Sequence, residues 1–117
     1  MDIETLRTYC ISKKGVTESF PFDNDTLVFK VGDKIFLLAA LNENPLQINV
    51  KCQPEKAIEL RERYPNNVFP GYHMNKKHWN TISLFNLSSP LIMSFIDESY
   101  QLVFQGLSKT LQNKITA

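Results

Sequence analysis

Apolar positions change period along this chain, and the changes mark out its elements. Ile3, Leu6 and Cys10 fall at helical spacing, with Asp2 and Glu4 where a helix N-terminus favours anions. Gly15 is the stop, after Lys13 and Lys14. The stretch from Val16 to Asp25 carries Phe20-Pro21-Phe22, which cannot continue a helix and reads as an extended connection whose rings pack on the core. From Leu27 the period becomes two: Leu27, Phe29 and Val31 alternate with Val28 and Lys30 up to Gly32-Asp33, a tight hairpin turn. Ile35 to Leu41 is apolar on both faces, as in a central strand covered on both sides or partly by loops. After a turn at Asn42-Glu43-Asn44-Pro45, Leu46, Ile48, Val50 and Cys52 alternate with Gln47, Asn49, Lys51 and Gln53, a half-buried strand with one wet face.

Pro54 suits the first turn of a second helix whose apolar side is Ala57, Ile58, Leu60 and Tyr64, with Glu59 and Arg63 spaced to pair. Pro65-Asn66-Asn67 stops it. Val68 to Tyr72 and Trp79 to Phe85 read as two more strands joined through Met74 to Lys77. Ser89-Pro90 opens a last helix with the stripe Leu91, Ile92, Phe95, Ile96, Tyr100, Val103 and Leu107. Residues 108–117 are polar and read as a frayed tail. The predicted order is α-β-β-β-α-β-β-α over one domain, 1–117. That is an α+β, two-layer fold: an antiparallel five-stranded sheet with helices packed on one face.

Composition narrows the function classes. The 117 residues are 43% hydrophobic and 21% charged, ordinary for a globular protein. No apolar run approaches the roughly 20 residues of a membrane span, and the acidic start Met1-Asp2-Ile3-Glu4 is unlike a signal peptide, so a cytoplasmic protein away from membranes is expected. Cys10 and Cys52 are expected to be buried reduced thiols. Thirteen Lys+Arg against twelve Asp+Glu give a net charge of +1, so any affinity for nucleic acid must come from local clustering of charge.

The usual enzyme templates are missing. There is no phosphate-binding glycine loop and no nucleophile elbow, and the five-residue spacing of His73 and His78 fits neither a helical zinc pair nor a finger. No catalytic residue, metal or cofactor is therefore expected. The unusual segment is Gly71 to Thr81, which holds both histidines, the only tryptophan and two adjacent lysines. It admits three readings. Trp79 and Tyr72 anchor a hairpin in the core, with the asparagines satisfying turns. Alternatively, Lys76 and Lys77 form a tip that contacts phosphates, with His73, Asn75 and His78 as hydrogen-bonding groups and Lys34 acting likewise on the first hairpin. The third reading makes the surface a protein-docking site.

Tyr64-Pro65, the run Pro70-Gly71-Tyr72-His73-Met74-Asn75-Lys76-Lys77-His78-Trp79-Asn80-Thr81 and the helical Asp97-Glu98-Ser99-Tyr100-Gln101-Leu102-Val103 resemble the MmcQ/YjbR family of small bacterial proteins. Phe20-Pro21-Phe22 and the hairpin from Val28 to Lys34 fit as well, so the similarity covers essentially the whole chain. One turn departs: Asn86-Leu87 stands where family members often have Asp-Gly. The resemblance implies a CyaY/frataxin-like fold and DNA binding through a double-wing arrangement of hairpins. It does not imply iron binding, because the first helix offers only Asp2 and Glu4 towards an acidic ridge. The expectation is thus a non-enzymatic DNA-binding protein. It would contact double-stranded DNA weakly and without strong sequence preference through Lys34, His73, Asn75, Lys76, Lys77 and His78, as a monomer or homodimer. The alternative is a protein- or peptide-binding module resembling secretion chaperones, using the exposed face of the sheet.

Overall fold

A computed structural model describes residues 1–71 and 74–117. Its elements are α1 (Ile3–Ile11), β1 (Val16–Ser19), β2 (Thr26–Val31), β3 (Lys34–Ala40), β4 (Gln47–Lys51), α2 (Pro54–Arg63), β5 (Val68–Pro70), β6 (Trp79–Ser83), α3 (Ser89–Gln105) and α4 (Lys109–Thr116). The α+β class stands, but the described sheet has six strands, not five, and there are four helices. The strand order is β1-β2-β3-β4-β6-β5, antiparallel throughout.

The extra strand, β1, lies in the stretch expected to be a connection. It adds four residues to the outer edge of β2, Val16 opposite Val31 and Ser19 opposite Val28. Val-Thr-Glu-Ser is too short to display a period, and the Phe-Pro-Phe that follows masks it. The rings of that motif do not pack on the core. Phe20 is 49% and Phe22 65% exposed.

The extra helix, α4, replaces the expected frayed tail. Ser108 caps it by accepting the Leu111 N–H, and Leu111 and Ile115 pack against the core edge. The fit depends on two glycines. A Cβ on Gly32 would lie 3.0 Å from a Leu111 methyl, and one on Gly15 would lie 2.8 Å from Ile115. Both glycines also have left-handed φ, +55° and +74°. Gly32 and Asp33 (φ +64°) together form the two-residue hairpin turn expected from the sequence, both with positive φ.

Leu27, Phe29, Val31, Leu37, Ala39, Ile48, Val50 and Ile82 face the helices and make the core with Leu6, Ile92, Phe95, Ile96 and Val103. A β-bulge in β3 puts Phe36 and Leu37 both into that core, because the pairing steps from Phe29–Leu37 to Lys30–Ile35. Ser99, fully buried on α3, satisfies the backbone there: its hydroxyl donates to the Phe36 carbonyl (2.5 Å) and accepts the Lys51 N–H (2.8 Å). In α2, Ala57 and Leu60 are buried, whereas Ile58, expected on the apolar side, is exposed.

α1 and α3 are tied by a polar cluster. Tyr9 Oη and Lys13 Nζ both donate to Asp97 at 2.6 Å. The bond to Asp97, with burial, pushes the Tyr9 phenol up to about 12. Burial works to raise the Asp97 carboxyl, but the hydrogen bonds from Lys13 and Tyr9 outweigh it and hold the group below its ordinary value. Cys10 and Cys52 are buried free thiols, raised by that burial to about 12 and about 11, so both are unreactive near neutrality.

Candidate nucleic-acid interface

The antiparallel register sends two connections out of the same end of the sheet. β2 ends and β3 begins at the Val31–Lys34 pair, while β4 ends and β6 begins at the Lys51–Trp79 pair. The β2–β3 turn and the β5–β6 loop therefore leave from one side. Lys34 is exposed at the first, and Asn75, Lys76 and Lys77 are exposed on the second.

The loop has a defined build. The Asn75 side chain accepts the Lys77 N–H (3.0 Å), and its carbonyl accepts the N–H groups of His78 and Trp79. Asn75 thus closes the turn that presents the lysines. The His78 carbonyl accepts the Cys52 N–H (2.7 Å), joining the loop to the end of β4. Arg61 on α2 donates to the Lys76 carbonyl and, at 2.7 Å, to the side-chain oxygen of Asn80. Asn80 is 1% exposed and gives its own N–H to the Ala57 carbonyl. Gly71 donates to the Trp79 carbonyl, and a Cβ there would lie 3.0 Å from that oxygen. Tyr72 and His73, expected as a core anchor and a nucleic-acid contact, lie outside the described residues.

Trp79 is not the core anchor that the sequence suggests. It is paired with Lys51 on the face of the sheet away from the helices, half-buried, and the core-facing position beside it belongs to Asn80. Trp79 is one of the residues lining an open cleft of about 560 Å³, with Lys30, Lys34, Lys51, Asp33, Ile35 and the end of α3. Alternation in β4 identified Lys51 as wet, but nothing local in the sequence shows that it would meet Trp79.

Charge is unevenly distributed along the sheet. Lys14, Lys30, Lys34, Lys51, Lys76 and Lys77 sit at or near the end just described, where Asp33, Glu55 and Glu98 are among the acids, Glu98 being paired with Lys56. Asp23, Asp25 and Glu43 lie at the opposite end, where Asp2 and Leu41 share a cavity. The near-neutral total hides this polarity. The salt bridges among the described residues are Arg7–Glu18, Lys13–Asp97 and Lys56–Glu98, and none involves Lys30, Lys34, Lys51 or Lys77.

The remaining open face mixes apolar and polar side chains. Ser19, Val28, Leu38, Asn49, Thr81 and Phe69 run across it in register. Phe22 folds beside Leu38, Ile35, Ala40 and Met74 around a cavity of about 510 Å³. That partial cover explains why β3 is apolar on both faces.

The YjbR family model matches residues 11–102. The chain belongs to the YjbR family. Its relatives include the uncharacterised YbdF of Escherichia coli O157:H7, 36% identical with 96% of this chain and 92% of that protein covered. The uncharacterised YjbR of Escherichia coli K12 is 35% identical, with 86% of each chain covered. Among solved structures, the Deinococcus radiodurans protein DR2400, described as a DUF419 domain, superposes with a TM-score of 0.92 at 36% identity over 97% of this chain and 87% of that one. A Pseudomonas syringae protein superposes with a TM-score of 0.73 at 30% identity, over 88% of this chain and 99% of that one. No helix among the described residues is long and apolar enough to cross a membrane.

Proposed function

We propose that this YjbR-family chain is a non-enzymatic, cytoplasmic nucleic-acid-binding domain whose contacts come from the basic end of its sheet. The observation that carries the reading is the common exit of the two lysine-bearing connections, Lys34 on one and Lys76-Lys77 on the other. Two such wings would rest on the phosphates of a duplex, in the double-wing manner. Phosphate contacts position a protein without reading sequence, so binding is expected to be weak and of low sequence preference. Asn75 and Arg61 hold the second wing in shape. The acidic opposite end would be repelled by the same polyanion, which orients the encounter.

The test is a fluorescence titration of a short DNA duplex with the wild type and with the Lys76→Glu/Lys77→Glu double variant. Both substituted side chains are exposed, so the fold should survive. Duplex affinity is expected to fall at least tenfold; unchanged affinity in a folded variant contradicts the reading.

A second reading has one specific support, the apolar cavity under Phe22 on the open face. A peptide-binding module of the secretion-chaperone type would use that surface. Partners captured from a lysate that survive nuclease treatment, and that a Phe22→Asp/Leu38→Asp variant fails to capture, would favour it.

A further inference from the structure

Trp79 is placed where a structural tryptophan has little to do. The helix-facing position is filled by Asn80, and Trp79 is not part of the hydrophobic core. Among the described residues no aromatic ring pairs with it and no cation lies over it, although Lys30, Lys34 and Lys51 line the same cleft. All three lysines are outside the salt bridges of the described residues. The backbone under the site is held on several sides: Ser99 fixes Lys51, Gly71 donates to the Trp79 carbonyl, and the Asn75 carbonyl accepts the Trp79 N–H.

An indole with cations around it matches a ligand that is flat, aromatic and anionic at its margin. A nucleobase on its phosphodiester chain has that form: the base stacks on the ring and the flanking phosphates meet ammonium groups. A base held inside a duplex has no free face to offer. We infer that the cleft of Trp79, Lys30, Lys34 and Lys51 binds one unstacked nucleobase of a single strand, with the phosphates on either side neutralised by the lysines. The inference rests on the proposed nucleic-acid function and makes it more specific. The wings carry charge towards any phosphate backbone, and this cleft favours an unpaired strand, a frayed end or a gap. Asp33 at the rim would discourage a second phosphate on the turn side.

The chain has one tryptophan, so its intrinsic fluorescence reports this site alone. Three probes of equal length are titrated: a twelve-nucleotide oligothymidylate, an abasic oligomer with the same phosphodiester backbone, and a blunt twelve-base-pair duplex. Oligothymidylate is expected to quench Trp79 emission and to bind roughly tenfold or more tightly than the abasic oligomer, as expected for one stacked base. Trp79→Leu is expected to remove that preference while changing duplex affinity less than twofold; Trp79→Phe, which keeps a ring, is expected to retain part of it. Equal binding of oligothymidylate and abasic oligomer by the wild type overturns the inference and leaves the wings intact, provided the duplex binds. If none of the three probes binds, the proposed function falls as well.

Discussion

Ser99 is a small residue with a large structural assignment. Its hydroxyl serves the Phe36 carbonyl and the Lys51 N–H at the point where β3 bulges against β2 and its ladder to β4 has ended. Without it, two buried backbone groups lose their partner, and leaving such groups unmade costs more than an average hydrogen bond contributes. Ser99→Ala is therefore expected to lower unfolding free energy by about 1–3 kcal/mol in chemical denaturation. A loss below about 0.5 kcal/mol, the low end for a single bond, would show that water takes its place. Residue-level chemistry was partly legible in the sequence. Asn75 as a turn-former and Lys34 at a hairpin tip follow from local rules. Asn80 does not: an asparagine in a strand gives no sign that it will be buried against α2 with Arg61 as its partner. Trp79 misleads for a related reason. Bulk and apolarity suggest the core, but strand parity from Asn80 and Ile82 sends it to the other face.

At the scale of elements, α1, α2, α3 and the strands from β2 to β6 could be read, and β1 and α4 could not. β2, β3, β4, α2 and α3 announce themselves through alternation, Gly-Asp and Ser-Pro. β1 is four residues long and takes its order from the edge of β2, a tertiary cause. α4 has two inward apolar side chains, Leu111 and Ile115, and its place depends on the absence of side chains at Gly15 and Gly32. The join between α1 and α3 carries a pH signature. Tyr9 in the folded protein titrates at about 12 rather than near 10 because it donates to Asp97. A raised folded value means that the bond stabilises the fold fully below pH 10 and loses that effect as pH rises towards 12. The stability difference between the wild type and Tyr9→Phe should be constant from pH 7 to 10 and shrink between 10 and 12 in denaturant titrations. A difference unchanged across that alkaline window would mean that Tyr9 acts through packing alone.

For the whole molecule, the sorting of charge matters more than its sum. A net charge of +1 argues against a polyanion-binding protein until the topology brings Lys34 and Lys76-Lys77 to one end and leaves Asp23, Asp25 and Glu43 at the other. The sequence contains every one of these residues but not their juxtaposition, which depends on β6 lying beside β4. Neutralisation of phosphates by this basic end is measured most directly by the salt dependence of duplex affinity. If about four phosphates are neutralised, the logarithm of the binding constant should fall against the logarithm of salt concentration with a slope of roughly −3 to −4. Lys34→Glu/Lys77→Glu should flatten that slope by about two. A slope near zero in the wild type, or one that the charge reversals leave unchanged, would contradict the account.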